Sequence, residues 1–107
     1  MSESKLEADF IKLLKQTGLP RPNEFEFMFA KEIGRKWRAD FAYTENGMRL
    51  LVEIEGGEFI NGRHNRNLRG DAEKYNNAVL LGYRVLRFTG SMLKSGEAME
   101  TMQRALL

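Results

Sequence analysis

RADFAYTENGMRLLVEIEGGEFINGRH, residues 38–64, sets one aspartate in a short apolar run and, thirteen positions on and across a turn, two glutamates in a second run. In the first run, strand alternation puts Trp37, Ala39, Phe41 and Tyr43 on one face and Arg38, Asp40 and Ala42 on the other. Glu45-Asn46-Gly47 is a hairpin signal, because Asn-Gly tolerates positive φ. In the second run Leu50, Val52 and Ile54 share one face, and Leu51, Glu53 and Glu55 share the other. An antiparallel hairpin then brings Asp40 beside Glu53 or Glu55. The two glutamates stand about 7 Å apart along their strand. Neighbouring carboxylates inside a sheet either take raised pKa values or demand a cation. Oxygen-only ligands select hard ions such as Mg²⁺ or Mn²⁺ over zinc. The competing reading is a solvated face on which the glutamates pair with Arg38 and Arg49 across the strands. Gly56 and Gly57 speak against it, since two glycines after a strand permit close backbone approach.

Upstream, residues 4–16 carry Leu6, Phe10, Leu13 and Leu14 on one helical stripe. Ser4 and Glu7 have capping-box spacing, and Gly18, Pro20 and Pro22 end the helix. Glu7 thus either caps this helix or lends a further carboxylate to the metal site. Residues 25–29, FEFMF, form an aromatic-rich strand broken before the aspartate strand by Gly34.

Downstream, residues 57–69 read as a loop with an Asn61-Gly62 turn and a basic cluster of Arg63, His64, Arg66 and Arg69. His64 is the only histidine, and its ordinary pKa suits proton transfer near neutrality. Asp71 is expected to cap a helix to about Leu81, with Tyr75, Ala78 and Val79 inward and Lys74 one turn in. Gly82 stops it. Residues 83–88 are a fourth strand. A strand, a helix and a strand on short links make a right-handed crossover, so strands three and four should be parallel. Residues 89–96 read as a connector. The last helix, residues 97–106, turns Met99, Met102 and Leu106 inward as core filler.

The 107-residue length suits one domain with one modest core. The chain has no cysteine, which excludes thiolate metal sites and a disulfide frame and fits a reducing, cytoplasmic compartment. No apolar run is long enough to span a bilayer, and MSESKLE is too charged for a signal peptide. Net charge is only +2, but Lys31, Arg35, Lys36 and Arg38 cluster ahead of the aspartate and a second basic group follows the glutamates. Such clusters suit a phosphate backbone, or else are solvated loop charge.

The expected order is α-β-β-β-α-β-α, an α/β domain with a mixed four-stranded sheet flanked by helices. With WRADFAY, LLVEIEGG, GRHNR, DAEKYNNA and LGYRVLRF in that order, the chain resembles the PD-(D/E)XK nuclease superfamily. Within it, the likeness is to the compact branch of very-short-patch-repair-like endonucleases from phages and bacteria. The resemblance covers most of residues 37–88 and implies a restriction-endonuclease-like fold. It also implies Asp40 as metal-binding aspartate, Glu53 as second acid and Glu7 as the acid from the first helix. Glu55 occupies the position usually filled by lysine. That departure assigns it to metal binding or to general base, with Lys74, His64 or Arg63 supplying the missing positive charge.

The function these readings imply is Mg²⁺- or Mn²⁺-dependent endonucleolytic cleavage of DNA in a bacterial or phage-infected cell. The metal ligands are Asp40, Glu53, Glu55 and Glu7. The catalytic residues are Asp40, Glu53, Glu55, His64 and Lys74. Arg38, Arg63, Arg66 and Arg69 hold the phosphate backbone, with Arg63, Arg66, His64 and Lys74 neutralising its developing charge. No base-reading element is evident, so recognition is expected to follow backbone or structure. A homodimer would supply the two sites that a double-strand cut needs. The alternatives are a non-cutting nucleic-acid-binding module that keeps the nuclease fold, favoured by the glutamate at position 55, and an enzyme acting on RNA.

Overall fold

Aromatic and β-branched residues build four strands, and apolar stripes press helices on both sides of them. The computed structural model describes residues 3–56 and 68–107. Helix α1 spans Glu3–Gln16, strand β1 Glu24–Met28, a 3₁₀ turn Lys31–Ile33, β2 Arg38–Tyr43 and β3 Leu50–Glu55. Helix α2 (Leu68–Leu80), β4 (Arg84–Thr89), α3 (Gly90–Ser95) and α4 (Glu97–Leu106) follow. The sheet is ordered β1-β2-β3-β4. The first three strands are antiparallel neighbours, and β4 runs parallel to β3, as the intervening helix requires. Among the described residues no helix is long and apolar enough to cross a membrane.

One face of the sheet is covered by α1, α3 and α4. Leu6, Phe10 and Leu14 of α1 meet Phe41, Tyr43, Leu50, Val52, Ile54 and Phe88 of the strands. Leu93, Ala98, Met99 and Met102 close this core. Phe10 is wholly buried and stacks on both Phe41 and Phe88, at 5.2 and 6.0 Å between ring centroids. The other face is smaller. Ala78 of α2, Tyr83, Phe29 and Ala30 pack there against Ala39, Ala42 and Leu51. The β2–β3 connection turns through Asn46 and Gly47, both at positive φ, as the Asn-Gly pair demands. Gly34, at φ 76, ends the 3₁₀ turn.

Four local expectations are corrected. Ser4 lies inside α1, so it does not cap that helix. Helix α2 begins at Leu68, which puts Asp71 in its first turn, and Val79 faces solvent. Residues 90–95 form a helix where a connector was expected. The Thr89 side chain accepts from the Met92 N–H and caps it. Its two flanking glycines and brevity left no periodicity to read.

The fourth correction concerns β2. Ala39 and Ala42 lie in the same cluster, and Trp37 packs there too, while Phe41 and Tyr43 face the opposite core. Strict alternation is therefore broken once, at Asp40. Strand β1 breaks at the matching level. Phe25 contacts Phe41 while Phe27 contacts Tyr83, and Glu26 between them has φ 50. Such a backbone is uncommon outside glycine and works as a local kink in a ladder.

Phe10→Ala should lower unfolding free energy by about 3–5 kcal/mol, the range for emptying a packed aromatic site. Urea melts of the two proteins measure it, and a loss below about 1 kcal/mol would show that the α1 core does not hold the sheet.

A candidate carboxylate centre on the sheet

The register sets out the site. Continuing the β1–β2 pairs that flank it, Glu26 stands opposite Asp40. The β2–β3 pairs end at Phe41 and Val52, one residue short of Asp40 and Glu53. Glu53 pairs with Arg87 of β4. Glu26 and Asp40 thus meet on neighbouring strands. Glu7 reaches the same place from α1. One carboxylate oxygen from each of Glu7, Glu26 and Asp40 lies within 4.8 Å of the others.

Asp40 also holds the sheet. Its Oδ2 accepts the Ile54 N–H at 2.7 Å. This bond serves the β3 backbone just where the ladder pairs between β2 and β3 end, at Phe41 and Val52. The break in alternation and the side chain's grip on β3 are therefore one event.

Glu53 is the one buried charged residue among those described, at 8% exposure. Lys74 of α2 donates to both of its oxygens, at 3.1 and 3.4 Å, and the Tyr75 hydroxyl adds a contact to Oε1 at 3.4 Å. Burial pushes the Glu53 carboxyl up to about 7. The Lys74 ammonium opposes that shift and the Asp40 carboxylate adds to it. Burial also raises the Tyr75 phenol, with Glu53 adding to the shift, so it remains a donor. Glu55, half-buried, is held by the Arg87 guanidinium, which also lies over the Tyr75 ring. The two glutamates of β3 thus take partners from α2 and β4. Arg38 and Arg49, the partners expected of a solvated face, are engaged elsewhere. Arg38 lies 4.0 Å from Glu26, and Arg49 stacks on Tyr83 and donates to the Leu81 carbonyl.

Of the residues singled out in the sequence, Glu7 and Asp40 come together with Glu26, while Glu53 and Lys74 pair with each other beneath α2. Glu55 lies beside them on β3 but is bound to Arg87. Arg38 and Arg69 are exposed. Arg63, His64 and Arg66 lie outside the described residues. Glu26 was missed. In the sequence it is only the polar member of FEF, and nothing in a single strand tells which residue of the next strand it will oppose. Tyr75 and Arg87 were missed as partners for the same reason, since both depend on the register of the crossover.

The donor set is chemically suited to a hard divalent cation: every candidate ligand is a carboxylate oxygen, and several acids meet where mutual repulsion calls for positive charge. Comparison of the chain with protein-family models, with curated proteins and with solved structures returned no match.

The raised pKa of Glu53 has a signed consequence in metal-free protein. Its carboxyl ordinarily titrates near 4.5 and in the fold near 7. The protonated form is therefore favoured by folding, and that stabilisation is present below pH 4.5 and lost as pH rises through 7. In chelator, the contribution of this group should fall by roughly 3 kcal/mol across that window. Glu53→Gln should flatten the slope. Equal slopes for the two proteins in urea melts at a series of pH values would contradict it.

Proposed function

We propose that the protein is a metal-dependent endonuclease of the PD-(D/E)XK type, with a restriction-endonuclease-like fold, hydrolysing phosphodiester bonds in DNA. The observation that supports this reading is the acid cluster: carboxylate oxygens of Glu7 on the first helix, Glu26 on β1 and Asp40 on β2 lie within 4.8 Å of one another, and Glu53 is buried on the neighbouring strand. The resemblance implies metal-binding roles for Glu7, Asp40 and Glu53. Asp40, Glu53 and Glu7 would hold Mg²⁺ or Mn²⁺, with Glu26 as an additional oxygen donor. A divalent cation in such a site lowers the pKa of water and offsets charge on a phosphate.

The chain's own residues supply the rest. Asp40 keeps its carboxylate in place through the Ile54 N–H. Lys74, one residue before Tyr75 on α2, presents an ammonium at Glu53. It is the described cation best placed to substitute for the lysine that Glu55 replaces. Arg38 and Arg69, both exposed, suit contacts to the phosphate backbone. The expected mode is recognition of backbone or structure over base sequence.

A second reading has an observation of its own. Both β3 glutamates already carry cationic partners, Lys74 for Glu53 and Arg87 for Glu55. A non-cutting nucleic-acid-binding module on the same fold would need no metal to be stable in that form.

Plasmid nicking in Mg²⁺ separates the two. Asp40→Asn retains an acceptor for the Ile54 N–H while removing the charge, and Glu53→Gln does the same for the buried carboxylate. Each should reduce cleavage well beyond the roughly 10–100-fold loss typical of a residue that merely supports a ligand. Wild-type levels of nicking by either variant would overturn the nuclease reading. Metal-independent DNA binding with no cleavage by the parent protein would favour the module.

A further inference from the structure

We propose that α2 is a hinged lid: anchored at its C-terminal end and latched by ion pairs ahead of it, it lifts from the sheet and uncovers Glu53 while the rest of the fold stays closed. The inference stands apart from the nuclease reading. It gives the buried acid a route to solvent whatever the protein acts on.

The two faces of the sheet hold their helices by different means. Helix α1 sinks Leu6, Phe10 and Leu14 into its core. Among the described side chains of α2 only Ala78 is buried, and Val79 and Leu80 are exposed. An alanine removes little apolar surface from water, so the hydrophobic seat of α2 is small. Ahead of Ala78 the ties to the protein are polar. Glu73 accepts from Arg35 at 2.9 Å, Lys74 donates to both oxygens of Glu53, and the Tyr75 hydroxyl reaches the same carboxylate. Such contacts exchange for water when they part, so their net hold on the helix is modest. The Glu53–Lys74 pair shows this best. Lifting α2 rehydrates both charges at once and returns the desolvation cost that closure imposes.

The far end of α2 is fixed. The Tyr83 N–H donates to the Ala78 carbonyl at 3.0 Å, and Arg49 donates to the Leu81 carbonyl at 2.8 Å. The Arg49 guanidinium also lies over the ring of buried Tyr83. Gly82, at φ 91, stands inside this anchor, and a residue without Cβ absorbs the dihedral change that a pivot needs. The latches at Glu73 and Lys74 can therefore open while the junction with β4 holds.

Native-state hydrogen exchange of the full chain, followed by NMR at low urea concentrations, tests this. A helix as short as α2 does not keep its turns once detached, so its amides report lifting. Residues 72–77 lie past the four N–H groups that a helix leaves unpaired. Their amides should be roughly a hundredfold less protected than those of residues 10–14 and 51–54. Their opening should respond weakly to urea, because lifting exposes little surface, while α1 should show the full slope of unfolding. Lys74→Met should lower protection at 72–77 by about tenfold or more, since closure then buries an unpaired Glu53. Arg35→Gln, which removes an exposed pair, should lower it by about two- to threefold. Equal protection and equal urea slope in α1 and α2 would show that α2 leaves only when the whole fold does, and would overturn the proposal. Unchanged protection at 72–77 in Lys74→Met would overturn the latch. Should that variant fail to fold, the parent protein and Arg35→Gln decide the question by the same two criteria.

Discussion

The constraint that orders this molecule is a carboxylate inside a strand that has no solvated side. Strand β3 is packed by α1, α3 and α4 on one face and faces α2 on the other. Leu50, Leu51, Val52 and Ile54 fit that setting. Glu53 does not, and an unpartnered charge there would cost several kcal/mol. The fold answers with Lys74 and Tyr75 from α2. The position of α2 over the sheet is thus fixed by charge as well as by Ala78. Such a buried pair adds little to stability by itself, because apolar residues of similar volume usually do as well.

The same economy appears at Asp40. A regular ladder would have left its side chain on one face, one strand from Glu53 and remote from α1. The break in alternation at Asp40 and Glu26 lets acids from two strands approach Glu7 on the opposite side of the sheet. Acids on the strands and on α1 meet because the ladder yields at one level. Among the described residues no buried side-chain polar atom lacks a hydrogen-bond partner, so the break is accommodated without orphaned groups.

Legibility followed the physics of each signal. Period and punctuation were enough for the strands, the hairpin at Asn46-Gly47 and the parallel placement of β4, since these depend on neighbours in the chain. The approach of Asp40 to the end of β3, where it accepts the Ile54 N–H, was readable because one tight turn sets that register. Glu26, Tyr75 and Arg87 were not, because their partners are chosen by a longer connection or a crossover. The face of Trp37 and Ala39 was misread for another reason. Alternation holds only while a strand stays regular, and the residue that breaks it is the one whose side chain binds a backbone N–H. Helix α3 was hidden by its glycines, and the N-terminus of α2 by the basic, polar residues ahead of it.

Strand β1 lies at the rim of the sheet with Phe25 58% exposed. A flat rim strand bearing an outward aromatic invites a second chain to add itself by hydrogen bonding. The left-handed backbone at Glu26 spoils that template midway along five residues. An incoming strand would lose its register there and meet a carboxylate. The distortion that gathers Glu26 and Asp40 beside Glu7 therefore also discourages strand addition at this rim.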